Sequence, residues 1–170
     1  MPKAERLFYY FDTVCISNFA MAHRLDLLTA RYGRRLHVTQ EALGEIIDGM
    51  AAGYSSLSAI EGAVTSGTIG LTSPFAAGER QLYQRLLRTL GSGEASCIVM
   101  AKTRKGIVAT DDRAARECCA GEGVLFTGTI GILKACCRAG ALTPQSADEV
   151  LQAMIEAGYH SPVNCISGLI

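Results

Sequence analysis

The sequence has no excess charge of either sign: sixteen Lys and Arg balance sixteen Asp and Glu across 170 residues. No overall positive field draws such a chain to nucleic acid, so binding of that kind needs a local basic patch. No C-x-x-C pair occurs among the seven cysteines, whose odd number and helical contexts argue against a disulfide framework. That usage fits a reducing cytoplasm. The adjacent pairs Cys118-Cys119 and Cys136-Cys137 read as small apolar helix fillers. The histidines, His23, His37 and His160, are scattered and give a histidine metal site or acid–base dyad no support. Long apolar runs are missing too. Leu7 to Phe11 is too short for a signal peptide or membrane span and is followed by Asp12, so neither export nor a membrane partner is expected.

What is present reads as one α/β domain. A hydrophobic content of 49% is ordinary for a globular fold, and no repeat, low-complexity run or linker divides the chain. Leu7 to Phe11 has the continuous apolar pattern of a strand covered on both faces. A helical stretch follows from about Thr13, and a second runs from Arg24 to Ala30 and is ended by Gly33. Leu36-His37-Val38 is the next strand, and Thr39 caps a helix from Gln40 to about Met50 with Leu43, Ile46, Ile47 and Met50 as its apolar stripe. Ser55 to Ala63 reads as a short helix and Thr68 to Thr72 as a strand before Pro74. A longer helix is expected over Phe75 to Leu90, with Glu79, Arg80, Gln84, Arg85 and Arg88 on its polar face. An amphipathic helix opened by Glu94 and the short strand Ile107-Val108-Ala109 come next. They are followed by a helix from Asp112 to Ala120, a strand at Val124 to Phe126 and a helix from Thr129 to Arg138. Thr143-Pro144 starts a last helix to about Ala157. The expected division is a domain over 1–158 and a C-terminal tail over 159–170.

The acids carry the chemistry. In open parallel sheets ligands gather at the carboxyl ends of strands where strand order reverses, and Asp12, Asp111 and Asp112 all follow strands. Glu94 shares a helical face with Ile98 and Ala101, which aims it at the same edge. Clustered carboxylates repel one another, so their convergence makes most sense around Mg²⁺ or Mn²⁺. Each acid also has an ordinary structural reading: Glu94 faces a favourable helix dipole, Asp12 can cap the next helix, and so can Asp111 or Asp112. Glu45 lies away from its helix's apolar stripe and reads, on pattern alone, as a solvated surface glutamate.

These residues resemble a known family. FDTVCISNF, VTQEALGEI, GEASCIVMAKTRKGIVATDDRAAR and FTGTIGILKACCRAGALT are similar, in order, to the motifs of PIN-domain proteins of the toxin-like ribonuclease (VapC-like) group. The resemblance spans nearly the whole chain. It implies a three-layer α/β/α PIN-like domain with a mostly parallel central sheet, in which Asp12, Glu45, Glu94 and either Asp112 or Asp111 ligate Mg²⁺ or Mn²⁺. Counting T-x-[D/N] from Thr110 selects Asp112, whereas the first residue past the strand is Asp111. Thr110 supports an acid or a bound water, and Thr129 in GTIGIL has a similar standing. Gly128 and Gly131 read as helix-packing glycines, since no P-loop lysine accompanies them.

The implied activity is hydrolysis of RNA phosphodiester bonds, with a cognate antitoxin and a homodimer as the expected partners. Arg113 and Arg116 are candidates for contacting RNA phosphate, with a solvated helix face as the ordinary reading. Two other classes stay open beside this one: a PIN-fold RNA- or protein-binding module without cleavage activity, and a phosphotransfer receiver domain. The latter needs an early acidic pair, and here the pair comes late. A housekeeping RNA-processing nuclease is a further variant of the enzymatic reading.

Overall fold

The computed structural model describes residues 6–72 and 75–170. Five strands, β1 (Phe8–Phe11), β2 (Leu36–Thr39), β3 (Gly70–Thr72), β4 (Gly106–Ala109) and β5 (Leu125–Thr127), form one sheet in the order β3-β2-β1-β4-β5. All neighbouring pairs are parallel, so the sheet is wholly rather than mostly parallel. The helices are α1 (Thr13–Met21), α2 (Leu25–Tyr32), α3 (Gln40–Ala51), α4 (Ser58–Thr65), α5 (Ala77–Leu86), α6 (Ser92–Thr103), α7 (Arg113–Glu122), α8 (Thr129–Arg138) and α9 (Pro144–Glu156). None among the described residues is long and apolar enough to cross a membrane. Pro74 lies outside the described residues.

Strand alternation sorts the core into two halves. Phe11, Leu36, Val38 and Ala109 face a cluster with α1, α2, α8 and α9. Tyr10 and Val108 face the other way, toward α5, α6 and α7. The result is a three-layer α/β/α architecture. Residues 159–170 return to the first cluster: Tyr159 and Ile166 are buried in it, and Asp148 of α9 accepts the Ser167 amide at 3.0 Å.

Three local expectations change. On α3 Ala42 and Ile46 are buried and Met50 packs partly buried against the core, while Ile47 is 45% exposed, so the core-facing side is narrower than the expected stripe. The helix expected over Phe75 to Leu90 spans only Ala77–Leu86. Its Glu79 is buried, accepting hydrogen bonds from the Ala76 amide (3.1 Å) and the Thr103 hydroxyl (2.7 Å) beside Arg104. α6 is not amphipathic, since Ala95 through Ala101 are all buried. It lies between the sheet and α3, α5 and α7, and a helix covered on every side loses the polar stripe that periodicity detects.

Candidate active site

The strand order reverses at β1, whose successors lie at β2 on one side and β4 on the other. This is the switch point at which a parallel sheet opens a crevice beyond its strand ends. Asp12 leaves β1 there. Its amide donates to Ala109 of β4 at 3.0 Å, and its Oδ1 caps α1 by accepting the Cys15 amide at 2.7 Å. The capping role and the site position thus coexist in one side chain. Asp12 is 2% exposed. Burial lifts its carboxyl from 3.8 to about 7, with the charges of Asp111 and Glu94 adding to the rise and the Thr110 hydroxyl and Cys15 amide opposing it.

Glu94 reaches the same edge from the first turn of α6. One of its oxygens accepts the Gly91 amide at 3.2 Å, half of a capping box that glycine has no side chain to complete. Burial again raises its carboxyl, and the nearby charges of Asp112 and Glu45 act in the same direction. Glu45 is not a solvated surface glutamate, contrary to its place in the α3 pattern. It accepts from the Thr13 hydroxyl, from Ser92 Oγ at 2.9 Å and from the Gly93 amide at 3.0 Å. Helical periodicity could not show this, because the partners come from α1 and α6. Gly93 leaves the room: a Cβ there would stand 2.7 Å from Glu45 Oε2.

Asp111 and Asp112 are adjacent in sequence but have different surroundings. Asp111 accepts the Thr129 amide (2.9 Å), the Thr129 hydroxyl (2.5 Å) and the Asn18 amide side chain (3.3 Å), with Arg116 Nη2 at 3.5 Å. Asp112 is exposed and caps α7 through one oxygen, which accepts the Ala115 amide at 2.7 Å. Thr110, just before them, is fully buried and its hydroxyl oxygen accepts the Asp112 amide at 3.2 Å. Gly128 has an extended φ of −149° and is needed for space, not for backbone freedom. A Cβ there would lie 1.9 Å from Arg116 Nη2, 2.6 Å from Asp111 Oδ1 and 3.0 Å from the Thr110 carbonyl oxygen. Its role is close approach to the acidic turn, while Gly131 keeps clear of the Thr127 hydroxyl.

Of the two arginines singled out in α7, Arg113 pairs with Glu117 along the exposed helix at 2.8 Å. Arg116 turns inward, donating from Nε to the Thr110 carbonyl at 2.9 Å. Nearby, Lys102 and Arg85 share Glu122. Cys15 and Cys97 are buried, and burial raises both thiols well above the usual range, which makes them poor nucleophiles. Three site residues gave little warning in sequence: Thr13 and Ser92, which hold Glu45, and Asn18. Only Asn18 carried a usable signal, as a polar residue on the α1 face that also buries Cys15 and Phe19.

Among the described residues no three His, Cys, Asp or Glu side chains already converge closely enough to clasp an ion. The donor chemistry still fits one. Asp12, Glu94 and Asp112 offer only hard carboxylate oxygens, and Mg²⁺ binds through one or two carboxylates while keeping several of its waters. Burial lifts both the Asp12 and the Glu94 carboxyls and neighbouring acids add to the rise, Asp111 and Glu94 at the first and Asp112 and Glu45 at the second, a penalty that a divalent cation relieves. A family model described as a PIN domain matches residues 9–170. No curated protein matches the chain.

Proposed function

The chain belongs to the PIN-domain family, whose members are typically nucleases using divalent metal ions, and from that premise we infer that it is a Mg²⁺- or Mn²⁺-dependent endoribonuclease. The observation that supports this reading is the electrostatic coupling of acids from four separate segments beside the switch point of the sheet, Asp12 with Asp111 and Glu94, and Glu94 with Asp112 and Glu45. Asp12, Glu94 and Asp112 would hold the metal. A divalent ion bound there supplies positive charge against the phosphate and lowers the pKa of water.

The protein's own groups set the geometry. Thr110 and the Cys15 amide hold the Asp12 carboxylate in place. Glu45 ties the start of α1 to the start of α6 through Thr13, Ser92 and Gly93, so it fixes the spacing between Asp12 and Glu94. Asp111, held by Thr129, Asn18 and Arg116, acts in this reading as a positioning residue for the turn, and the choice of Asp112 as the fourth-motif ligand is supported by its second oxygen, which makes no hydrogen bond among the described residues. In the overall reaction a water oxygen bonds to phosphorus, the bridging P–O bond breaks, and the freed oxygen takes a proton. No protein nucleophile is required.

Within this reading the protein is the toxin of a toxin–antitoxin pair, a role that rests on the motif resemblance and calls for a cognate antitoxin as partner. The test is incubation of a mixed RNA pool with Mg²⁺ or Mn²⁺, with EDTA, and with the Asp12→Asn protein. Cleavage is expected only in the metal-containing wild-type samples. Equal cleavage in all of them removes the metal–acid mechanism, and no cleavage in any favours a binding module.

A further inference from the structure

Beyond the acids, a cleft of about 600 Å³ opens beside the edge strand β5, between α7, α8 and the C-terminal segment. Asp111, Arg116, Phe126, Lys134, Tyr159 and His160 are among its walls. Asp111 belongs both to this cleft and to the acidic turn, so the two are continuous. Phe126 is 42% exposed despite its apolar ring. The Arg116 guanidinium lies over that ring, 5.7 Å from its centroid, and is held there by Thr110 and Asp111. Ring and guanidinium therefore form a fixed platform at the sheet edge.

Lys134 supplies the complementary element. Arg85, Lys102, Arg104, Arg113 and Arg116 all have carboxylate partners. Lys134, half-buried on α8, has none among the described residues. An aromatic or guanidinium plane for an unpaired base, beside a cation for its phosphate, is how proteins hold single-stranded RNA. A cleft in the range of about 300 to 1,000 Å³ suits a small ligand such as one nucleotide.

We propose that this cleft is a nucleotide subsite for single-stranded RNA, in which one base stacks on the Phe126–Arg116 platform and a neighbouring phosphate lies beside Lys134. It rests on the ribonuclease reading of the adjacent acids and adds to it the path by which the strand reaches them. The site selects an unpaired base, because the platform is inaccessible to a base still stacked in a duplex.

The test is fluorescence anisotropy of a 5′-labelled single-stranded RNA in EDTA, which reads binding without cleavage. Phe126→Ala is expected to weaken binding about tenfold, and Phe126→Tyr to restore it. Lys134→Gln is expected to lower the slope of log K against log salt by about 0.7, the value for one phosphate contact to a single strand. A merely destabilised protein would not change that slope, and thermal melts confirm that each variant is folded. Wild-type protein that binds no RNA, or variants that bind with wild-type affinity and slope, overturn the subsite. Metal-dependent cleavage with unchanged variant binding removes the subsite and leaves the nuclease reading. Binding through Phe126 and Lys134 without cleavage under any metal does the reverse.

Discussion

Asp12→Asn should make the metal-free protein more stable at pH 8 while abolishing its activity. In the unfolded chain this carboxyl ionises near 3.8, whereas in the fold it holds its proton up to about 7. Between those values the unfolded state binds fewer protons than the folded one, so stability falls as pH rises across the window. At 1.36 kcal/mol per pH unit the loss has a ceiling of about 4 kcal/mol, fully developed above pH 7. Glu94, raised for the same reason, adds in the same direction. Asparagine keeps the shape and the oxygen that caps α1 but never ionises. Urea unfolding in EDTA at pH 5 and pH 8 measures the effect: relative to wild type, the variant should gain about 2–3 kcal/mol between the two, since only the part of the window above pH 5 is sampled, or roughly 1–2 M in midpoint. A stability difference that is the same at both pH values refutes the reasoning.

Divalent ions should act as the mutation does, by removing the charge penalty. Saturating Mg²⁺ or Mn²⁺ at about 100 times its dissociation constant should raise wild-type stability at pH 8 by about 2.7 kcal/mol, read as a melting shift absent from Asp12→Asn. Gly128→Ala should cost about 1–3 kcal/mol by overpacking, because the Arg116 tip can move aside but Asp111 and the Thr110 carbonyl cannot. Adding Arg116→Ala should recover only part of that loss in thermal melts. Gly93→Ala, whose Cβ would meet the Glu45 carboxylate, should disturb the α1–α6 tie and lower RNA cleavage about tenfold, as small misplacements of reacting groups do. Unchanged cleavage by this variant would show that the tie is dispensable.

The fold was legible where one signal dominates. The run Phe8–Phe11, the Thr39 and Thr143 caps and the proline at the first position of α9 each mark their elements directly. Signals failed where tertiary packing decides. Covering on every side erased the expected amphipathicity of α6, and Glu79 is buried on a face that reads as polar because Thr103 and Arg104 come to meet it. The acids at strand ends followed from the βα order alone. Glu45 did not, since its partners Thr13, Ser92 and Gly93 are distant in sequence, and only the motif resemblance singled it out. The difference between Asp111 and Asp112 lies in contacts with Asn18 and Thr129, which spacing does not encode.

The most direct test is single-turnover cleavage of one labelled single-stranded RNA, with Mg²⁺ titrated against wild type, Asp12→Asn, Glu94→Gln, Asp112→Asn and Asp111→Asn. Wild type should show saturable Mg²⁺ dependence, and the first three variants background rates. Asp111→Asn should retain measurable cleavage with a changed rate rather than a lost metal requirement. Cleavage that survives chelation, or Asp12→Asn and Glu94→Gln proteins that cut as wild type does, would contradict the metal–acid mechanism.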